Sequence, residues 1–367
     1  MRIGVLNEIN DARVALVPEV VKQLIQDKNQ ILVETNAGLT SFISDSEYQE
    51  AGAEVVSREQ VLAQSEMLIS IHPLEDVDLN NIKEKSVLVS SFQPFADLSY
   101  LDRTAKFPLT AFSLDMIPRI TIAQAMDILS SMASVAGYKA VLMAASRLPR
   151  YFPMLTTAAG SIPPAKVLIL GAGVAGLQAI ATAKRLGSVV EAFDTRLAAK
   201  EEVQSLGAKF VEVEGARDDK SAGGYAVEQT EEYKKRQTAL IQEKAIKADV
   251  VIATAQIRGR KAPLLVTKET VEQMKPGAVI VDLAASTGGN CELTRDNQII
   301  NHKGITIIGD SNLAATMPMH ASQLYSKNIF NYLKVLVKQG QINLDMNNEI
   351  IKSSCILLEG EKQYNIN

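Results

Sequence analysis

Apolar residues in the first third of the chain fall into short runs separated by polar stretches. RIGVL (2–6), ILVET (31–35), MLISI (67–71), SVLVSSF (86–92) and LTAFSL (109–114) read as strands, and VPEVVKQLIQDKN (17–29) carries its apolar residues at helical spacing. SREQ (57–60) has the spacing of a capping box and predicts the start of another helix. Strands alternating with helices imply a parallel sheet covered on its faces.

From Thr121 to Leu148 the pattern predicts a single long helix, apolar nearly all round after Met132. At roughly 1.5 Å per residue it would span about 40 Å, enough to lead from one domain into the next. Gln124, Asp127 and Ser130 recur every third residue, so they predict a polar stripe on its first turns, with Arg119 just before. Taken alone, these residues fit either a solvated face, an internal ion pair or a functional set. A second alternating series follows: KVLIL, VVEAF, AKFVEVE, DVVIATA, AVIVDLA and GITIIG. Near the end, HASQLYSKNIFNYLKVLVKQ (320–339) reads as another long amphipathic helix. The expected fold is α/β, with two Rossmann-like doubly wound subdomains joined by long helices and a cleft between them. The expected boundaries are residues 1–130 plus 317–367 for a discontinuous N-terminal subdomain and 131–316 for the second.

Composition narrows the function. A length of 367 residues accommodates two domains, and a net charge of −4 leaves no electrostatic footprint for nucleic acid. The two cysteines, Cys291 and Cys355, lie far apart, and neither they nor His72, His302 and His320 fall in a metal-ligand pattern, so no metal is expected. No GxSxG element suggests a serine nucleophile. The N-terminal MRIGVLNEIN has too short an apolar run for a signal-peptide core. The long uncharged run VLILGAGVAGLQAIATA (167–183) fits a strand, turn and helix better than a membrane span.

That run holds the clearest motif. Gly171, Gly173 and Gly176 follow a strand and open a helix: the first permits a tight turn, the second lets backbone approach a pyrophosphate, and the third lets helix and strand pack closely. Asp194 follows Gly176 by 18 residues and closes the next strand, where it would accept hydrogen bonds from an adenosine ribose and repel a 2′-phosphate. NAD(H) is therefore the expected cofactor, although Arg196, two residues on, is the residue type that meets a 2′-phosphate. Further along, GARDDKSAGGYAVEQT (215–230) carries Gly223, Gly224 and Tyr225 and reads as a loop that closes over a nucleotide. AQIRGRKAP (255–263) and AASTGGNCELT (284–294) fall at carboxyl ends of strands, where doubly wound sheets bind ligands; Asn290 either touches cofactor or only shapes its turn.

These stretches, together with RVALVPE, PRITIAQAMDILSSMASVAGYKA, TTAAGSIPPA, AFDTR, GGYA, MKPGAVIVDLAASTGGNCE and SQLYSKN, resemble the alanine dehydrogenase/transhydrogenase family over essentially the full length. The likeness is specifically to the NAD(H)-binding component of proton-translocating transhydrogenases. The resemblance implies that Arg119, Gln124, Asp127 and Ser130 surround the nicotinamide ring and its ribose, that Tyr225 closes on the nucleotide, and that Asp194 is the adenosine-ribose acid. It also implies neighbouring contacts at Ile120, Thr121, Ala172, Gly173, Val174, Thr195, Arg196, Gly224, Gln237 and Gln256. The implied activity is direct hydride transfer from NADH to NADP+ held on a partner component, coupled to proton movement by a membrane-spanning partner. The implied chain is a homodimer, peripheral on the inner face of the cytoplasmic membrane. Two departures stand out. Where transhydrogenases often read Ala-Leu-Ile-Pro-Gly-Lys, this chain has Ala255-Gln256-Ile257-Arg258-Gly259-Arg260, and the lysine and histidine of soluble alanine dehydrogenases fall at Ile71 and near Gln93. The alternatives are a stand-alone alanine-dehydrogenase-like enzyme and a non-catalytic NAD-binding module.

Overall fold

The structure, a computed structural model, describes residues 1–213, 230–257 and 259–363. The chain divides into two units, Met1–Met132 with Ala314–Asn367, and Ala133–Leu313. The strands that build the two sheets, in chain order, are β1 (Arg2–Val5), β2 (Gln30–Glu34), β3 (Glu54–Val56), β4 (Met67–Ile69), β5 (Val87–Ser90), β6 (Thr110–Ser113), β7 (Lys166–Leu170), β8 (Val189–Phe193), β9 (Lys209–Phe210), β10 (Val250–Ala253), β11 (Val279–Asp282), β12 (Gln298–His302), β13 (Ile305–Gly309), β14 (Cys355–Leu358) and β15 (Glu361–Lys362).

In the first unit the order is β15-β14-β6-β5-β4-β1-β2-β3, parallel from β6 to β3, with β14 antiparallel to β6 and β15 antiparallel to β14 at the edge. In the second it is β9-β8-β7-β10-β11-β13-β12, parallel except for β12. Each is a doubly wound sheet whose strand order reverses next to its own first strand.

Strand periodicity accounts for the two-faced burial. Ile3, Val5, Ile31, Val33, Met67 and Ile69 feed one face of the first sheet, while Leu32, Leu68 and Leu88 between them feed the other. In the second sheet Val167, Ile169, Val250 and Ile252 pack opposite to Leu168, Leu170, Val251 and Ala253. Sheets buried on both faces read as continuous apolar runs, as these do. The capping box forms at Ser57, whose hydroxyl accepts from Gln60 N while the Gln60 side chain accepts from Ser57 N.

The segment after β1 has no regular structure, yet Val14 to Val17 are buried. Side chains replace the missing backbone partners: Val14 N donates to Ser322 Oγ and Val17 N to Ser326 Oγ, both at 3.0 Å, and Tyr48 Oη donates to Leu16 O at 2.8 Å. Ser322 and Ser326 belong to the helix Pro318–Leu336, which lies in the first unit.

The single helix expected over Thr121–Leu148 is two elements. A 3-10 helix covers Thr121–Met126, Asp127 is extended (φ −76°, ψ 93°), and an α-helix runs over Ile128–Arg147. The break has a local cause: the Asp127 carboxylate accepts from Ser130 N at 2.9 Å and Ser130 Oγ at 2.6 Å, capping the α-helix where the apolar pattern suggested continuity. AKFVEVE likewise shortens to the two residues of β9.

The boundary between the units falls inside Ile128–Arg147. Among the described residues this is the helix long and apolar enough to cross a membrane by length and composition, and Ala140, Val141 and Ala144 of it are buried in the core of the second unit. A Cβ added at Gly137 would stand 2.1 Å from Ala175 O. Both cysteines are free and buried, and burial pushes each thiol up to about 11.

Gly137→Ala is expected to lower the unfolding free energy by about 1–3 kcal/mol through overpacking, although alanine is the better helix former. The measurement is the urea midpoint; an unchanged midpoint would mean that the contact with Ala175 yields freely.

Candidate functional site

The glycine-rich turn joins β7 to the helix Val174–Arg185. Gly171 has φ +99°, and a Cβ there would also stand 2.7 Å from Thr254 Oγ1. At Gly176 a Cβ would lie 1.9 Å from Gly171 O. Both positions therefore demand glycine for internal reasons. Gly173 differs: its φ of −76° suits any residue, and an added Cβ would meet nothing within 4 Å. What its missing side chain leaves is open space before a helix N-terminus that has no side-chain cap. Uncapped N–H groups there suit an anion, so this turn fits a pyrophosphate.

The turn sits where the strand order reverses, between β7 and β10. Thr254, just past β10, donates from Oγ1 to Gly171 O at 2.9 Å and ties the two strand ends together. On the other side β8 delivers Asp194, whose Oδ2 accepts from Ala172 N at 2.7 Å. Arg196 lies over the same carboxylate, donating from N and Nε to Oδ1 (2.8 and 3.0 Å) and from Nη2 to Oδ2 (3.0 Å). Thr195 between them is half-buried.

Asn290 proves to be a buried clamp. Its Oδ1 accepts from Ala255 N at 3.0 Å, and its Nδ2 donates to Ala255 O and Pro263 O at 2.9 and 2.8 Å. Asp282, fully buried at the end of β11, accepts from Ala284 N, Asn290 N, Cys291 N and Thr294 Oγ1. These two side chains fix both loops at the carboxyl edge of the sheet. Gln256 is exposed and donates from Nε2 to Leu283 O at 3.0 Å, and Gln237 is half-buried on the helix Glu231–Lys247. Gly223, Gly224, Tyr225 and Arg258 lie outside the described residues.

The remaining expected residues belong to the first unit. Arg119, Thr121 and Gln124 are exposed and Ile120 is half-buried; Asp127 N donates to Gln124 O at 3.3 Å, and the Asp127 carboxylate accepts from Ser130 as described. The 3-10 segment carrying Gln124 is held by Asn328 and Asn331, whose Nδ2 groups donate to Ala125 O at 2.9 and 3.2 Å.

A polar cluster, buried at Glu8, Asp11 and Arg13 and exposed at His72, lies at the matching reversal of the first sheet, between β1 and β4, and none of the motifs above marks it. Glu8 accepts from Ile71 N and His72 N at 2.5 and 3.2 Å. Asp11 accepts from Arg13 N and Nε at 2.9 Å each, from Arg13 Nη2 at 2.5 Å, and pairs with His72 Nε2 at 2.8 Å. Burial raises the Glu8 carboxyl against the pull of those backbone N–H groups. Burial also works to raise Asp11, but the hydrogen bonds from Arg13 and His72 outweigh it and hold the carboxyl well below the usual range. The available signal was NEINDARV, with two acids and an arginine flanking a segment that then turns apolar.

Profiles of the alanine dehydrogenase/PNT N-terminal and C-terminal domains match residues 4–136 and 140–365. The chain belongs to the alanine dehydrogenase/PNT family. That family is one of oxidoreductases. The chain is 40% identical to an NAD(P) transhydrogenase subunit alpha of Haemophilus influenzae, over 99% of this chain and 72% of that one. It also matches the crystal structure of transhydrogenase from Sinorhizobium meliloti with TM-score 0.91 and 39% identity, covering 99% of this chain and 100% of that one. A solved L-alanine dehydrogenase matches with TM-score 0.81 and 25% identity, covering 99% and 96%. Within the family the chain thus stands nearer to the transhydrogenases.

The cluster on the first sheet carries a signed pH dependence. Because the Asp11 carboxyl is depressed in the folded state, its stabilisation is present above its ordinary value of 3.8 and is lost as pH falls through the lowered one. Glu8 has the opposite sign, its contribution fading as pH rises through its raised value. Asp11→Asn is expected to be less stable than the parent at pH 7, with the deficit shrinking below about pH 4. Melting curves of both proteins from pH 7 to pH 2 test this; a constant deficit would contradict it.

Proposed function

We propose that this chain is the NAD(H)-binding component of a proton-translocating transhydrogenase. The observation that carries the reading is the glycine turn: two glycines explained by close packing, and a third, Gly173, whose missing side chain serves only to keep the helix N-terminus open. The exposed N–H groups of that helix would hold the pyrophosphate, and Asp194 the adenosine ribose. Arg119, Gln124, Asp127 and Ser130 would orient the nicotinamide end, as the family resemblance implies. Bound NADH supplies a hydride from C4 of its ring. The protein's part is positioning and exclusion of water, for which no general acid or base is required.

The acceptor in this reading is NADP+ held on a separate NADP(H)-binding component, with a membrane-spanning component coupling the transfer to proton movement. The chain itself would act as a homodimer, peripheral on the inner face of the cytoplasmic membrane. A stand-alone alanine dehydrogenase is not favoured, because Ile71 stands where that branch of the family carries its lysine and the position of its histidine falls near Gln93. Ile71 is buried, and its N–H is committed to Glu8.

Gly173→Ala separates ligand binding from folding. The variant is expected to unfold at the parental urea midpoint while binding NADH at least about tenfold more weakly, since an added methyl enters ligand space and not protein. Equal affinity in calorimetry would remove the main support. Mixed with an NADP(H)-binding component, the parent chain is expected to pass hydride between nucleotide analogues without alanine or pyruvate; no transfer with both nucleotides bound would refute the transhydrogenase reading.

A further inference from the structure

We propose that Arg196 is a built-in competitor for the ribose subsite: its guanidinium holds the face of Asp194 that a nucleotide diol needs, and binding must displace it. The inference rests on the nucleotide reading above and concerns how that site is regulated.

A carboxylate offers about four lone-pair positions, two on each oxygen. Four N–H donors already reach Asp194. Arg196 N and Nε occupy Oδ1, while Ala172 N and Arg196 Nη2 occupy Oδ2. Two of the four are backbone groups, fixed by the glycine turn and by the bend after β8. The other two belong to one side chain, and only these can leave. Nη2 also donates to Ala172 O at 3.3 Å, so the guanidinium bridges the acid and the glycine turn.

Exposure points the same way. The Asp194 side chain is 8% exposed and cannot turn outward to find a second set of partners, whereas that of Arg196 is 34% exposed and has water to move into. A vicinal diol that donates two hydrogen bonds to Asp194 must therefore exchange with the guanidinium fork. Part of the binding free energy of any such ligand is spent on opening the pair, so affinity is held below what Asp194 alone would provide and release is correspondingly easy. That suits a component whose product must leave after each turnover.

The test compares the parent with Arg196→Ala and Arg196→Met by calorimetry, using NADH, ADP and 2′,3′-dideoxy-ADP as probes. Removing the fork is expected to tighten NADH and ADP about five- to tenfold, the scale of one charge-assisted hydrogen bond exchanged. No gain is expected for the dideoxy ligand, which cannot use the freed carboxylate. Arg196→Met keeps the length of the stem and guards against a folding defect in the alanine variant. NADH binding that is unchanged or weaker in variants that still unfold cooperatively would overturn the proposal while leaving the nucleotide reading intact. A parent chain that folds but binds neither NADH nor ADP would overturn both.

Discussion

The helix Val174–Arg185 can begin where it does only because no side chain stands between it and its neighbours. Gly176 lets it settle on the carbonyl of Gly171, and Gly137 lets the helix Ile128–Arg147 settle on the carbonyl of Ala175. Any Cβ at either place would stand about 2 Å from an oxygen, far inside contact distance. This double close approach fixes the direction of the helix N-terminus. It also fixes the height of the turn above the sheet, and with it the distance at which Asp194 meets Ala172 N. Thr254 then ties the neighbouring strand end to the same turn, and Asn290 holds Ala255 just beyond it.

The two units show how one topology can be finished in two ways. Both sheets share the core order third-second-first-fourth-fifth strand, and in both the order reverses beside the first strand, where such sheets open a crevice. In the second, glycine leaves backbone exposed beside a single acid and its arginine. In the first, Glu8, Asp11, Arg13 and His72 fill the equivalent ground with side chains that satisfy one another and the N–H groups of Ile71 and His72. At the first reversal the side chains are partnered with each other and with nearby backbone; the second has polar backbone to offer. A shared core order therefore does not make the two halves equivalent in what they can bind.

Much of this was legible in the sequence, because fully buried parallel strands announce themselves as apolar runs, and all the strands read from such runs are present. The glycine turn and Asp194 were legible for a related reason: backbone geometry leaves few residue choices. What escaped were features set by partners distant in sequence. β3 is only three residues long and half-buried, and β14 joins the first sheet from the far end of the chain. The polar cluster joins residues 8–13 to 71–72, which no local pattern links. In the sequence Asp127 falls in a helical stripe, since three-residue spacing cannot tell a helix face from a cap followed by its third residue. For Asn290 the residues left two readings open, and its three hydrogen bonds decide for the structural one.

The two buried thiols carry an experimental consequence. Cys355 lies in β14 of the first unit and Cys291 beside Asp282 in the second. Protonated and out of water, neither reacts while its surroundings hold. Each half of the chain thus carries one native clock. The rate at which a thiol reagent reaches Cys355 reports the opening of one half and the rate at Cys291 that of the other, with no label introduced and no residue replaced.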